Sequence, residues 1–250
     1  MLVMNQLNID LRKYLQQNQT TWKNKVQITC YIISALDKIH YEKAIHRDLH
    51  SGNILYSVSS NEFHISDLGF CGPADKPLEK IYGNLPYIAP EVIAGKEYTF
   101  ASDIYSVGIL MWEISSGQSP FINYEHDYYL VNGIRPKIVP GTPLRYKSLM
   151  EQCWDADPSK SPDVLTLHGK IHEINRVYYQ NTSNENKNII KKFFENFNLL
   201  KLSQPKPNNL EINKTNNLEI YYTSSKLSTS KVYQFEDLPE PRNATEGNIA

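Results

Sequence analysis
The stretch Ile45-His46-Arg47-Asp48-Leu49-His50-Ser51-Gly52-Asn53-Ile54-Leu55 decides how this chain is read. It is followed by Asp67-Leu68-Gly69 and then by Ala89-Pro90-Glu91. The interval between Asp48 and Asp67 fits a loop, a short strand from Ile54 to Tyr56, a turn at Ser59-Ser60-Asn61 and a return strand from Phe63 to Ile65. Such a hairpin holds both carboxylates at one cleft. An isolated Asp-x-x-x-x-Asn or Ala-Pro-Glu carries little information, whereas the whole set in this order is specific.

Outside the hairpin the periodicity is helical. Leu2-Val3-Met4 reads as a short apolar strand and Ile9 to Leu15 as a short helix. Trp22, Val26, Cys30, Ile33 and Ile39 recur at helical spacing over Thr21 to Lys43, with Thr20 or Thr21 as N-cap. Phe100 to Ser116 is apolar on most sides, which predicts a buried helix. Pro143 to Trp154 and Ser161 to Tyr179 predict amphipathic helices, with Pro158 and Pro162 bracketing a turn between them. Trp112 and Trp154 are expected in the core.

Composition sets limits. The 250 residues are enough for one good-sized domain plus a tail, and 40% hydrophobic with 21% charged residues is ordinary for a globular protein. A net charge of -1 gives no electrostatic case for nucleic acid or an anionic membrane as partner. Three cysteines, Cys30, Cys71 and Cys153, without a C-x-x-C spacing, argue for a reducing compartment. With no N-terminal signal pattern and no apolar run of roughly 18 residues, a cytoplasmic location is expected.

Beyond Arg176 the chain becomes rich in Asn, Ser, Thr and Lys. Ile189, Ile190, Phe193, Phe194, Phe197 and Leu200 predict one amphipathic helix, which either covers apolar surface of the same domain or binds a partner. From Ser203 onward, polar composition with Pro205, Pro207, Pro239 and Pro241 predicts disorder. The expected organisation is a domain over 1–176, a helical extension over 177–202 and a disordered tail over 203–250.

The motif set His46-Arg47-Asp48-Leu49 with Asn53, Asp67-Leu68-Gly69, Ala89-Pro90-Glu91 and Pro158-x-x-x-Pro162 resembles the catalytic half of a eukaryotic protein kinase. The resemblance covers about 1–176 and implies a mainly α, protein-kinase-like C-lobe with a small β-hairpin at the catalytic loop. The chain begins at a hinge-like segment, with no Gly-rich loop and no V-A-I-K-like lysine ahead of it. The expectation is therefore a domain truncated at the hinge, with the N-lobe absent.

Family chemistry then assigns roles. Such enzymes move the γ-phosphoryl group of ATP to a protein hydroxyl with the help of Mg²⁺, mainly by positioning and charge. The resemblance makes Asp48 the base, Asn53 and Asp67 the metal ligands, and Arg47 the partner of an activation-loop phosphate. Met4 would back the adenine pocket, Asn5 to Leu7 would bond adenine through the main chain, and Leu55 would form the floor beneath the base. His46 would link the catalytic loop to the D-x-G turn. Asp103 would accept backbone N–H groups of that loop; the alternative is a plain helix cap.

Several positions depart from the family pattern. His50 stands where serine/threonine kinases carry a lysine, Leu68 where most carry Phe, and Asn84 where they carry a threonine that bonds the catalytic Asp. Ser161 replaces an arginine, which would leave Glu91 without its usual partner. The interval from His126 to Gly133 is short for the usual helix. From Gly69 to Pro90 there is no Ser or Thr, so Tyr82 is the candidate phosphosite; Asp75 and Glu79 are the other candidate partners of Arg47, and Tyr87 is expected to be structural.

The wording His-Arg-Asp-Leu-His-Ser-Gly-Asn with Cys153-Trp154-Asp155-Ala156-Asp157-Pro158 is similar to the tyrosine-kinase-like branch, which mostly phosphorylates Ser/Thr. His50 leaves Tyr specificity open. Two function classes follow: a protein kinase acting on Ser/Thr or Tyr hydroxyls, and a catalytically inactive lobe or pseudokinase serving as a binding or scaffold module. The protein substrate and the oligomeric state are not legible.

Overall fold
A computed structural model of the chain describes residues 9–73, 80–121, 134–180, 230–233 and 243. Expectations about Leu2-Val3-Met4, Met4, Asn5, Leu7, Asp75, Glu79, the interval 126–133 and the helix at 189–200 lie outside these residues. The chain divides into two compact units, Met1–Asn175 with Lys226–Ala250, and Arg176–Ser225. Of the second, only 176–180 is described, as helix.

Strand β1 (Ile9–Asp10) leads into α1 (Leu11–Gln17), whose N-terminus Asp10 caps by accepting the Lys13 N–H at 2.9 Å. The helix expected from Ile9 thus starts two residues later, because Ile9 and Asp10 pair with β3 instead. Helix α2 (Trp22–Tyr41) is capped by Thr21, which accepts the Asn24 N–H at 3.3 Å. Then come β2 (Ala44–Ile45), β3 (Ile54–Ser57) and β4 (Glu62–Ile65). The β3–β4 hairpin turns through Asn61 at φ 55, a left-handed value that Asn tolerates well. It joins β1 in a three-stranded sheet of order β1-β3-β4.

Next come β5 (Gly72–Pro73), which pairs with β2, and β6 (Ile81–Gly83). They are followed by helices α3 (Pro90–Ile93), α4 (Phe100–Ser116), α5 (Leu144–Cys153) and α6 at 164–180. Strand β7 (Lys231–Tyr233) pairs antiparallel with β6 and falls inside the stretch whose composition predicts disorder. Val232 and Tyr233 suit a strand, and a free β6 edge supplies the pairing that local composition cannot foretell.

The core forms around α4. Every residue from Ser102 to Ser115 is buried, as an apolar circumference requires. Gly117, at φ 72, ends the helix by donating its N–H to the Glu113 carbonyl at 2.8 Å. Helix α2 turns Val26, Ile33 and Leu36 inward, and α5 turns Tyr146, Leu149 and Met150. The Tyr146 hydroxyl donates to the Met111 carbonyl at 3.1 Å and lies 2.9 Å from Thr29 Oγ1, so it joins α5 to α4 and α2. Gly108 permits the close α4–α5 approach: a Cβ there would lie 3.0 Å from Cys153 Cβ. Trp112 and Trp154 are buried. Among the described residues, no helix is long and apolar enough to cross a membrane.

Candidate active site
The loop Ala44–Asn53 is held from beneath by Asp103. Helix α4 is capped by Thr99 and Ser102, whose side chain accepts the Thr99 N–H at 3.1 Å, so the cap does not need Asp103. The Asp103 carboxylate, 1% exposed, accepts the N–H of His46 at 2.8 Å and of Arg47 at 3.0 Å. His40 Nε2 lies 2.9 Å from the same oxygen as His46 N. These donors replace the water that a buried carboxylate has lost. They also hold Arg47 at φ 70, a strained value that needs surrounding support. Sequence reasoning missed His40, whose only signal is its place in the last turn of α2.

His46 joins the loop to the hairpin. Its Nδ1 accepts the Asp48 N–H at 3.3 Å, which places the proton of the neutral ring on Nε2, 3.1 Å from the Ser66 carbonyl. Ser66 immediately precedes Asp67. The hydrogen bond thereby ties the Asp48 loop to the Asp67 turn.

Asp48 is buried, with Asn53 beside it. The Asn53 amide donates to the Asp48 carbonyl at 2.9 Å and approaches Asp48 Oδ2 at 3.4 Å. The amide nitrogen is thereby committed, and the hard Oδ1 oxygen remains for a cation. Asp67 lies at the end of the hairpin at φ 56, exposed, its carboxylate accepting the Gly69 N–H at 3.4 Å. Burial first, then the charges of Asp48 and Asp67, raise the pKa of the Tyr82 hydroxyl against a hydrogen bond from Ser230. Leu55, in β3, is half-buried opposite Asp10 and His64.

His50 is oriented by its own turn. Its Nδ1 accepts the Gly52 N–H at 3.1 Å, which leaves Nε2 as the donor, 3.6 Å from Asp48 Oδ1. The next residue, Ser51, lies 3.2 Å from the Tyr87 hydroxyl. That hydroxyl makes a short hydrogen bond to Glu113 and accepts from Arg12 at 3.1 Å, while Arg12 Nε pairs with Glu113 at 3.1 Å. Burial, then the Glu113 charge, keep the Tyr87 phenol well above its usual range, so it is the donor to Glu113. Tyr87 is therefore built into the interior.

Arg47 points its guanidinium at main-chain carbonyls, Pro73 at 2.8 Å and Phe70 at 3.4 Å. Phe70 in turn stacks on Tyr82 with ring centroids 3.6 Å apart. Asn84 does not bond Asp48: among the described residues neither of its buried amide atoms has a hydrogen-bond partner, and they lie beside a cavity of about 10 Å³ that Asp48 and Asp103 also line. Glu91 is buried, and burial raises its pKa against the opposing fields of Arg135 and Lys96. Arg135, also bonded to the Trp154 carbonyl at 2.8 Å, is thus a cation near Glu91 that Ser161 cannot be.

Among the described residues, no three His, Cys, Asp or Glu form a cage for a metal. Asn53 and Asp67 offer one neutral and one charged oxygen. That set suits Mg²⁺, which keeps few protein ligands and shares the rest of its shell with phosphates.

A family profile described as protein tyrosine and serine/threonine kinase matches residues 1–171. The chain is 31% identical over 198 residues to the dual serine/threonine and tyrosine protein kinase of Homo sapiens, covering 76% of this chain and 21% of that protein. It is 31% identical over 163 residues to the putative serine/threonine-protein kinase/receptor R818 of Acanthamoeba polyphaga mimivirus, covering 63% and 10% respectively. Against the dual specificity protein kinase zakA of Dictyostelium discoideum it is 29% identical over 198 residues, covering 70% and 25%. The chain thus spans a quarter or less of the length of these relatives. The chain belongs to the protein kinase family, a family of phosphotransferases.

Proposed function
We propose that this chain carries the phosphoryl-transfer centre of a protein kinase acting on Ser/Thr or Tyr hydroxyls, with ATP as donor. The observation that carries the reading is the Asp48–Asn53 contact, anchored through His46 and Ser66 to Asp67. Asp48 accepts the proton of the incoming hydroxyl. Asn53 and Asp67 would hold Mg²⁺, which offsets phosphate charge when bound. Asp103 positions the main chain on which Asp48 sits.

The segment corresponds to the helical C-lobe of such an enzyme, and its motif wording supports the tyrosine-kinase-like branch. Met4, Asn5, Leu7 and Leu55 are assigned to the adenine side on the family pattern alone. All three cysteines are free thiols, in keeping with a reducing, cytoplasmic setting. Titration calorimetry of residues 1–250 with ATP tests the reading. Mg²⁺-dependent binding that Asp67→Asn abolishes is expected; no binding at millimolar ATP would overturn it for this chain.

A further inference from the structure
The groove beside Asp48 is filled by the chain itself. Strand β7 runs antiparallel to β6, with Lys231 opposite Gly83, Val232 opposite Tyr82 and Tyr233 opposite Ile81. Strand β6 passes close to the carboxylate, since a Cβ added at Gly83 would lie 3.4 Å from Asp48 Oδ1. The pairing delivers the residue just before β7, Ser230, to the site. Ser230 Oγ donates to Asp48 Oδ1 at 2.8 Å, and His50 Nε2 lies 3.1 Å from the same Oγ. Because Gly52 occupies His50 Nδ1, the ring donates through Nε2. The hydroxyl thus offers its proton to a carboxylate and has its oxygen oriented by an imidazole, within the reach required of a general base. A second contact keeps this part of the chain on the domain: Asn243 accepts the Ala156 N–H at 2.8 Å and donates to Asp155 at 3.0 Å.

We propose that Ser230 is a phospho-acceptor of this same centre, presented in cis by strand addition to β6. The inference rests on the kinase reading of Asp48. The Ser230 O–H proton passes to Asp48 as Oγ bonds the γ-phosphorus of ATP. The bond from that phosphorus to the bridging β-phosphate oxygen breaks, leaving ADP and phosphoserine, and Asp48 then releases the proton to water. Ser230 supplies what the segment 69–90 lacks, a hydroxyl of the Ser/Thr type at the loop. Once phosphorylated, it places negative charge against Asp48, and like-charge repulsion drives β7 off β6.

The test uses the full 250-residue chain with Mg²⁺ and ATP, with phosphosites mapped by mass spectrometry across a range of protein concentrations. Phosphate on Ser230, formed with a half-time independent of concentration and absent in Ser230→Ala and in Asp48→Asn, is expected. Transfer to added casein by Ser230→Ala, with Ser230 left bare in the parent chain, would overturn the inference while leaving the kinase reading intact. Transfer to neither would overturn both. Amide hydrogen exchange checks the strand independently of catalysis. Lys231→Pro removes one ladder donor and should speed exchange of the Ile81 and Gly83 amides roughly tenfold; unchanged exchange would overturn the strand placement.

Discussion

The hydroxyl of Tyr98 takes both main-chain groups of Tyr82: it makes a short hydrogen bond to the Tyr82 carbonyl and accepts the Tyr82 N–H at 3.2 Å. With those groups turned away, the ladder from β6 to β7 is left to Ile81 and Gly83, as antiparallel alternation requires. Tyr98 therefore sets which face of β6 meets β7. Tyr98→Phe should strand the two groups at a cost of roughly 1–3 kcal/mol. Exchange of the Tyr82 amide should quicken accordingly; an unchanged rate would count against this role.

Asp103→Ala removes the acceptor of two loop amides and the partner of His40. Hydrogen bonds to charged groups contribute about 1.5–3 kcal/mol each, so urea denaturation should register a loss of at least about 3 kcal/mol. Phosphoryl transfer should fall further than stability alone explains, because Arg47 is released from its strained main-chain angle. Asp103→Asn, which keeps one acceptor oxygen, should lie between.

Arg12 and Glu113 form a nearly buried pair with Tyr87. Glu113→Leu alone leaves the guanidinium without its counter-charge, which should cost about 3–5 kcal/mol. Adding Arg12→Met should recover much of that loss. A double-mutant cycle measures the coupling, and simple additivity would show that the pair acts independently.

Glu91 sets a pH dependence. Its folded pKa is raised above 4.5, chiefly by burial, so the folded state binds this proton more tightly than the unfolded state. Its contribution is fully present below the unfolded value and is lost as pH rises through the folded value. Glu91→Gln should therefore be more stable than the parent near neutrality, with the advantage vanishing as pH falls through the same window. Melting temperatures of both chains across pH decide it; a constant offset would show that ionisation is not responsible.

Gly108→Ala sets helix propensity against packing. Alanine favours the helix by about 1 kcal/mol, but its Cβ would lie 3.0 Å from Cys153 Cβ and 3.2 Å from the Trp154 main-chain nitrogen. Neither neighbour is a flexible side-chain end, so a net loss of roughly 1–3 kcal/mol is expected. A gain in melting temperature would show that α5 can move aside.

Local signals made much of this legible in the sequence. The apolar circumference of 100–116, the hairpin around Asn61 and the Thr21 cap follow from periodicity and turn chemistry, and the structure has each of them. The start of α1 was displaced by the pairing of Ile9 and Asp10 with β3, a tertiary effect. His40, Tyr98, Arg135 and Ser230 were not legible for the same reason. Each acts on a residue distant along the chain, through geometry that no spacing encodes. Asn84 shows the converse. The family position suggested a bond to Asp48, but its buried amide atoms make none among the described residues.

The pairing of β7 with β6 also bears on competition. A strand tethered to its own groove acts at an effective concentration set by the tether and not by the amount of protein in solution. A separate polypeptide present at far lower concentration would have to bind much more tightly than the tethered strand to displace it. Under the proposed function, access of other proteins to Asp48 would be governed by how often β7 leaves β6, and turnover on them would report the opening of this strand rather than the chemistry of transfer.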